Sequence, residues 1–199
     1  YESGALPKYV LDAVEKACSE VLAGKYHDQF LVDLYQGGAG TSANMNVNEV
    51  IANRAHVLQG NKLGEGQTFI HPNDDVNKSQ SSNDTFPAAM SIAGYKMVVE
   101  TTLPGVELLK NTLAAKSELF KEIVKTGRTH LMDATPLTLG QEFSGYASQL
   151  KFGIERIRLA VKQLYPLAQG GTAVGTGLNS HPKFATAFAK RAAEISGLP

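Results

Sequence analysis

An all-α fold is what the sequence predicts, on three observations. Apolar residues recur at helical spacing through most of the chain, strands do not alternate with helices, and the glycine-rich stretches QGGAGT and AQGGTAVGTGLN fall where helices would end. The 199 residues suffice for one or two domains with a sizeable core. Two of the helical patterns run for roughly 30 residues, about 45 Å each at 1.5 Å per residue. Helices of that length with apolar stripes require a bundle, including one shared between chains.

The elements follow in order. In ALPKYVLDAVEKACSEVLAGK, Val10, Val14, Cys18 and Val21 share one face; Pro7 suits a first turn and Gly24 a stop. In NVNEVIANRAHVLQG an Asn-x-x-Glu arrangement, Asn46 to Glu49, opens a second helix that ends at Gly60. From Asp84 or Thr85 a long pattern, with Phe86, Met90, Ala93 and Met97, runs to about Phe120. Pro87 falls in its first turn and Pro104 is expected to kink it. IVKTGRTHLMDATPL reads as extended chain with turns. The strongest period comes next: Leu139, Phe143, Tyr146, Leu150, Ile154, Ile157, Val161 and Leu164, opened by a Thr138–Gln141 capping box and followed by Pro166. A last helix, carrying Phe184, Phe188 and Ile195, spans Ser180 to Gly197.

Composition narrows the class. Lys plus Arg and Asp plus Glu both number 19, so there is no basic surplus and no nucleic-acid partner is expected. One cysteine, Cys18, excludes an internal disulfide framework and fits a reducing compartment. No apolar run approaches a membrane span, so no membrane partner is expected either. The opening YESGALPKYV lacks a secretory pattern, and its first residue is not Met, which points to a trimmed chain. The expected location is cytoplasmic, or the mitochondrial matrix in a eukaryote.

Four polar constellations stand out. HPNDDVNKSQSSND, residues 71–84, has Val76 as its only aliphatic residue and precedes a long helix. Ser81, Ser82 and Asn83 would place side-chain donors beside the unpaired N–H groups of that helix, a pocket for a carboxylate or phosphate; ordinary capping is the alternative. His71, Asp74 and Asp75 are metal-ligand types, but their spacing fits no zinc pattern, and an Asx-type turn accounts for them. In GGAGTSANMN, Gly38, Gly40 and Ala43 match G-x-G-x-x-A, yet no acidic residue lies about 20 positions on to hold a ribose. Asn44 and Asn48 share a helical face there, either a solvated stripe or one costly to bury unpaired. In GRTHLMDATPL, Arg128, Thr129 and His130 sit together outside a helix, and His130 is an acid or base, or a structural histidine. All of these supply hydrogen-bond donors and few nucleophiles, which suits a small, multiply anionic ligand.

GTSANMNVNEVIANRA, HPNDDVNKSQSSNDTFPAAM and GRTHLMDATPLTLGQE, in this order and separation, resemble the fumarase/aspartase superfamily, and class II fumarases in particular, from about residue 28 to the end. Thr129–His130 followed by ATPLTLGQE favours fumarase, since aspartases carry Gln in place of His130. QGGAGTS is nearer the aspartase style, and Ala39 stands where fumarases usually have Ser. The resemblance implies reversible hydration of fumarate to L-malate without metal or organic cofactor. Gly40, Thr41, Ser81, Ser82, Asn83 and Thr129 would hold substrate carboxylates, with Thr129 and His130 as the catalytic pair. His71, Asn73 and Asp74 would form a second, outlying anion site. It also implies a fragment. Residues 1–82 would end an N-terminal helical domain and 83–199 would begin the central bundle of a homotetramer. The family's Gly-Ser-Ser stretch leading into Pro-Gly-Lys, which carries its serine base and a carboxylate-binding lysine, is absent from this sequence. Three rivals stand beside this reading: an aspartate ammonia-lyase of the same superfamily, a non-catalytic helical assembly module, and, more distantly, a dinucleotide-binding oxidoreductase.

Overall fold

The computed structural model describes residues 4–35 and 39–199. Among these the chain forms six helices and a two-stranded sheet. It divides into two compact units, one of residues 1–90 with 167–199 and the other of residues 91–166.

The core of the first unit lies between α1 (Lys8–Leu22) and α2 (Thr41–Leu58). Val10, Ala13 and Ala17 meet Ile51, Ala52, Ala55 and Ile70, with Val14 and Cys18 packed at the edge as their spacing predicts. Four of the seven buried residues are alanine, so the helices meet largely through small side chains. Arg54 grips Glu20 at the margin, with Nε 2.5 Å and Nη2 3.0 Å from its two oxygens, and the Tyr26 hydroxyl donates to the same carboxylate. This guanidinium holds the Glu20 carboxyl down at about 2. α2 starts at Thr41, five residues before the expected Asn46. Asn46 does not cap its own helix. Its side chain accepts from Leu31 N and donates to Gln29 O, 3.1 Å each, fastening the preceding segment.

α3 (Ser82–Met97) begins in this unit, two residues earlier than its apolar pattern, so Pro87 falls in the second turn rather than the first. α6 (Phe184–Ser196) stops at Gly197 as expected but starts four residues after Ser180. Turn bonds hold that stretch back: Ser180 Oγ donates to Gly177 O and Lys183 N to His181 Nδ1.

In the second unit α3 opens into one wide turn, Val98–Thr102, before α4 (Leu103–Leu119). Pro104 has no N–H, and its ring crowds the carbonyl four residues back. The expected kink therefore takes the form of a π-type turn, with the Thr102 hydroxyl donating to Met97 O at 3.3 Å. α4 runs antiparallel to α5 (Leu139–Ala160). Glu107 meets Arg158 at one end of the pair, and Ser117 Oγ donates to Gly140 O at the other. Between them the segment expected as extended chain is a β-hairpin, β1 (Val124–Thr129) with β2 (Met132–Thr138), paired from Val124↔Thr138 to Thr129↔Met132. Thr138 ends β2 and caps α5 in the predicted box with Gln141. Along the α5 stripe Ile154 is buried, while Tyr146 is exposed. Among the described residues no helix is long and apolar enough to cross a membrane.

Gly140 is where α4 and α5 touch backbone to backbone. A Cβ there would lie 2.5 Å from Ser117 O and 2.7 Å from Lys121 Cα, neither of which can swing aside. Gly140→Ala should cost about 1–3 kcal/mol by overpacking, read as a lower thermal midpoint. Glu20 gives a pH test. Its folded pKa is depressed, so its contribution is full above the usual value of 4.5 and is lost as pH falls toward about 2. Urea midpoints of the wild type and Glu20→Gln should differ most near neutrality and converge at the acid end of that window.

Candidate functional site

Two helix N-termini meet in the first unit. α2 begins directly after Gly40 and α3 at Ser82, and each offers unpaired N–H groups and partial positive charge. Gly40 is buried with φ +75°, and a Cβ on it would stand 2.2 Å from the Phe86 ring. Only glycine lets the first turn of α2 lie against α3. Thr41 Oγ1 then sits 3.2 Å from Ser82 Oγ and donates to Asn83 Oδ1 at 3.3 Å. The two readings of the serines divide between them. Ser81 caps, its Oγ accepting from Asn83 N and its carbonyl from Asp84 N and Thr85 N. Ser82 turns its hydroxyl to Thr41.

The polar segment leading to this point is held by amides. Asn44 and Asn48 are buried rather than solvated, and both donate to Asn77 Oδ1 at 3.0 Å. Asn77 Nδ2 donates in turn to Gln80 O at 2.9 Å. The Gln80 side chain donates to Val76 O and accepts from the buried Gln169. A cleft of about 380 Å³ lies beside Gln80, Ser81 and Ser82, with Thr172 and Asn179 of the glycine-rich segment on its other side. Asn77, Gln80, Gln169, Thr172 and Asn179 were not among the candidates that the sequence offered. The Asn44–Asn48 stripe was the one signal that a buried polar partner had to exist.

Asn73 and Asp74 lie in a single turn, Pro72–Val76, that His71 caps, and all three are exposed. His71 Nδ1 accepts from Asn73 N and Asp74 N, and Asp75 Oδ2 accepts from His71 N. His71 Nδ1 also lies 3.5 Å from Asp74 Oδ2. The side-chain bonds of a turn therefore account for the acidic residues, and no group of three or more metal-ligand side chains forms among the described residues. Thr129 and His130 belong to the second unit. Thr129 closes β1, and His130 with Leu131 makes a two-residue turn in which both residues have positive φ, 52° and 63°. That is the backbone of a type I′ hairpin, and it presents the His130 ring exposed at the tip.

Asn77→Ala would leave two buried amide donors without their acceptor, at about 1–3 kcal/mol each. Asn77→Asp keeps the acceptor oxygens and should cost less. Urea denaturation ranks the two, and faster amide exchange at Ser81–Thr85 in the alanine variant would show the segment losing its anchor.

The comparisons with known proteins agree with the motif resemblance. A family model described as Lyase matches residues 1–199. The class II fumarate hydratase of Haemophilus influenzae is 59% identical over 199 residues and that of Pasteurella multocida 58%. Each alignment covers all of this chain and 43% of the relative, so the chain spans less than half the length of those proteins. A crystal structure of class II fumarase from Schistosoma mansoni superposes with a TM-score of 0.86 at 39% identity, covering 98% of this chain and 41% of the other. The predicted all-α, long-helix fold of the fumarase type, incomplete in this chain, is thereby borne out. Over its whole length the chain belongs to the lyase family, and it resembles that family's class II fumarate hydratases.

Proposed function

We propose that this chain is the carboxylate-binding part of a longer fumarate hydratase that interconverts fumarate and L-malate. The observation that carries the reading is the meeting of Thr41, Ser82 and Asn83 at two adjacent helix N-termini. The chemistry explains why such a cluster is useful. In the malate direction a proton leaves the carbon beside a carboxylate, and the charge moves onto that carboxylate as a doubly charged aci-form. Preorganised neutral donors stabilise it more than they stabilise the ground state. Gly40, Thr41, Ser81, Ser82 and Asn83 hold substrate carboxylates in this proposal, Thr129 adds a hydroxyl, and His130 contacts substrate or the added water. His71, Asn73 and Asp74 form a separate, more exposed dicarboxylate site. The serine base and the carboxylate-binding lysine come from sequence beyond this chain.

The remaining parts of the proposal follow from the family resemblance alone. The parent works without metal or organic cofactor, as a homotetramer in the cytoplasm or mitochondrial matrix, in the tricarboxylic acid cycle. Residues 1–82 belong to its N-terminal domain and 83–199 to its central bundle. His130, where aspartases carry Gln, favours water over ammonia as the added molecule.

The parent protein should consume fumarate with water and not with ammonia, followed by the ultraviolet absorbance of fumarate; the reverse preference would make it an aspartase. Neither activity, with no dicarboxylate bound, would leave a helical assembly module. Ser82→Ala should lower kcat/KM by about 10²-fold, as loss of one preorganised donor does elsewhere. His71→Asn should cost much less, and an equal loss would overturn the two-site reading. The 199-residue chain by itself should show no turnover.

A further inference from the structure

Backbone strain gathers around one cleft in the first unit. Six non-glycine residues among those described have positive φ, and three of them, Ser79, Thr172 and Asn179, line the cleft beside Ser81 and Ser82. Each has φ of 60°. For a β-branched threonine this is a genuine outlier, and such strain persists where the surrounding structure fixes it. Here Asp84, in the first turn of α3, accepts from Thr172 N at 2.6 Å, and Gly177 N closes the segment onto Gly171 O at 2.9 Å. The Thr172 hydroxyl is buried without a hydrogen-bond partner. An unpaired buried hydroxyl is destabilising. Thr172 itself is one of the residues that line the cleft. No charged side chain lines this cleft. Its polar surface is hydroxyl and amide, beside the N-terminus of a helix, which suits an anion.

We propose that the glycine-rich segment is a second wall of the substrate site, with the Thr172 hydroxyl and the Asn179 amide as further donors to a carboxylate. The proposal rests on the fumarate hydratase reading for its ligand. Asp84 is a positioning residue in it: its carboxylate is occupied by Thr172 N and fixes the segment over the helix N-terminus.

The experiment uses the full-length parent and two readouts. Malate turnover judges the activity; calorimetric binding of succinate, a dicarboxylate that cannot react, judges the donors. Asn179→Gly keeps the left-handed backbone and removes the amide. Thr172→Val removes only the hydroxyl, and Thr172→Ser retains it. The glycine and valine variants should each bind succinate about tenfold more weakly, the scale of one hydrogen bond to a charged group, while the serine variant binds as the wild type does. Thr172→Gly should bind as weakly as Thr172→Val with no loss of thermal stability, since glycine relieves the strain. If the valine and glycine variants bind succinate within twofold of the wild type, or if the serine variant is as weak as valine, the proposal is overturned. A wild type that binds succinate but turns over no malate would overturn the hydration reading while leaving the donor assignment to the binding data.

Discussion

One acceptor, the side-chain oxygen of Asn77, carries the geometry of the first unit. Two asparagines four residues apart on α2 are buried, and a buried amide must find a partner or destabilise the fold. Both find the same atom. The other end of the Asn77 amide holds Gln80, and Gln80 reaches Gln169 across 89 positions of sequence. A segment with almost no apolar residues therefore enters α3 along a fixed path, set by polar bonds on one side and by the alanine-rich core of α1 and α2 on the other. The placement of Ser82 beside Thr41 follows from that path together with the missing side chain at Gly40.

Much of this was legible in the sequence, in proportion to how local the cause was. The Thr138–Gln141 capping box obeys rules confined to a few neighbouring residues and stands as read, while the stripe read through Leu164 leaves the α-helix after Ala160 for a 3-10 turn, Val161–Leu164. On α1, Val10, Val14 and Cys18 of the predicted face pack in or against the core. Asn46 was misread because its capping pattern is real chemistry used at long range: its amide ties residues 29–31 instead of its own helix. The hairpin was missed for a related reason. Its turn uses His-Leu where the usual signal is Asn-Gly, and Pro136 sits in its second strand, both of which argue locally against a β-ribbon.

The candidate site shows the same division. Individual donors announced themselves by type, and the family resemblance ordered them. What joined Thr41 to Ser82, 41 positions apart, was tertiary, and so was the glycine-rich segment across the cleft. Glycines and small polar residues carry no periodicity, so AQGGTAVGTGLN read only as a connector. Its bond to Asp84 spans 88 positions and leaves no trace in either local sequence.

The two-residue turn at His130 and Leu131 limits how such a protein can diverge. A loop this short has no slack. One inserted residue would change the hairpin type. Lys125 pairs with Glu142 on α5 from within β1 and ties the strand to the helix. Substitution at position 130 by a residue that tolerates positive φ leaves the pairing intact. The tip is thus open to change in chemical identity and closed to change in length, so descendants of this chain can exchange one side chain for another there while the scaffold beneath it keeps its count.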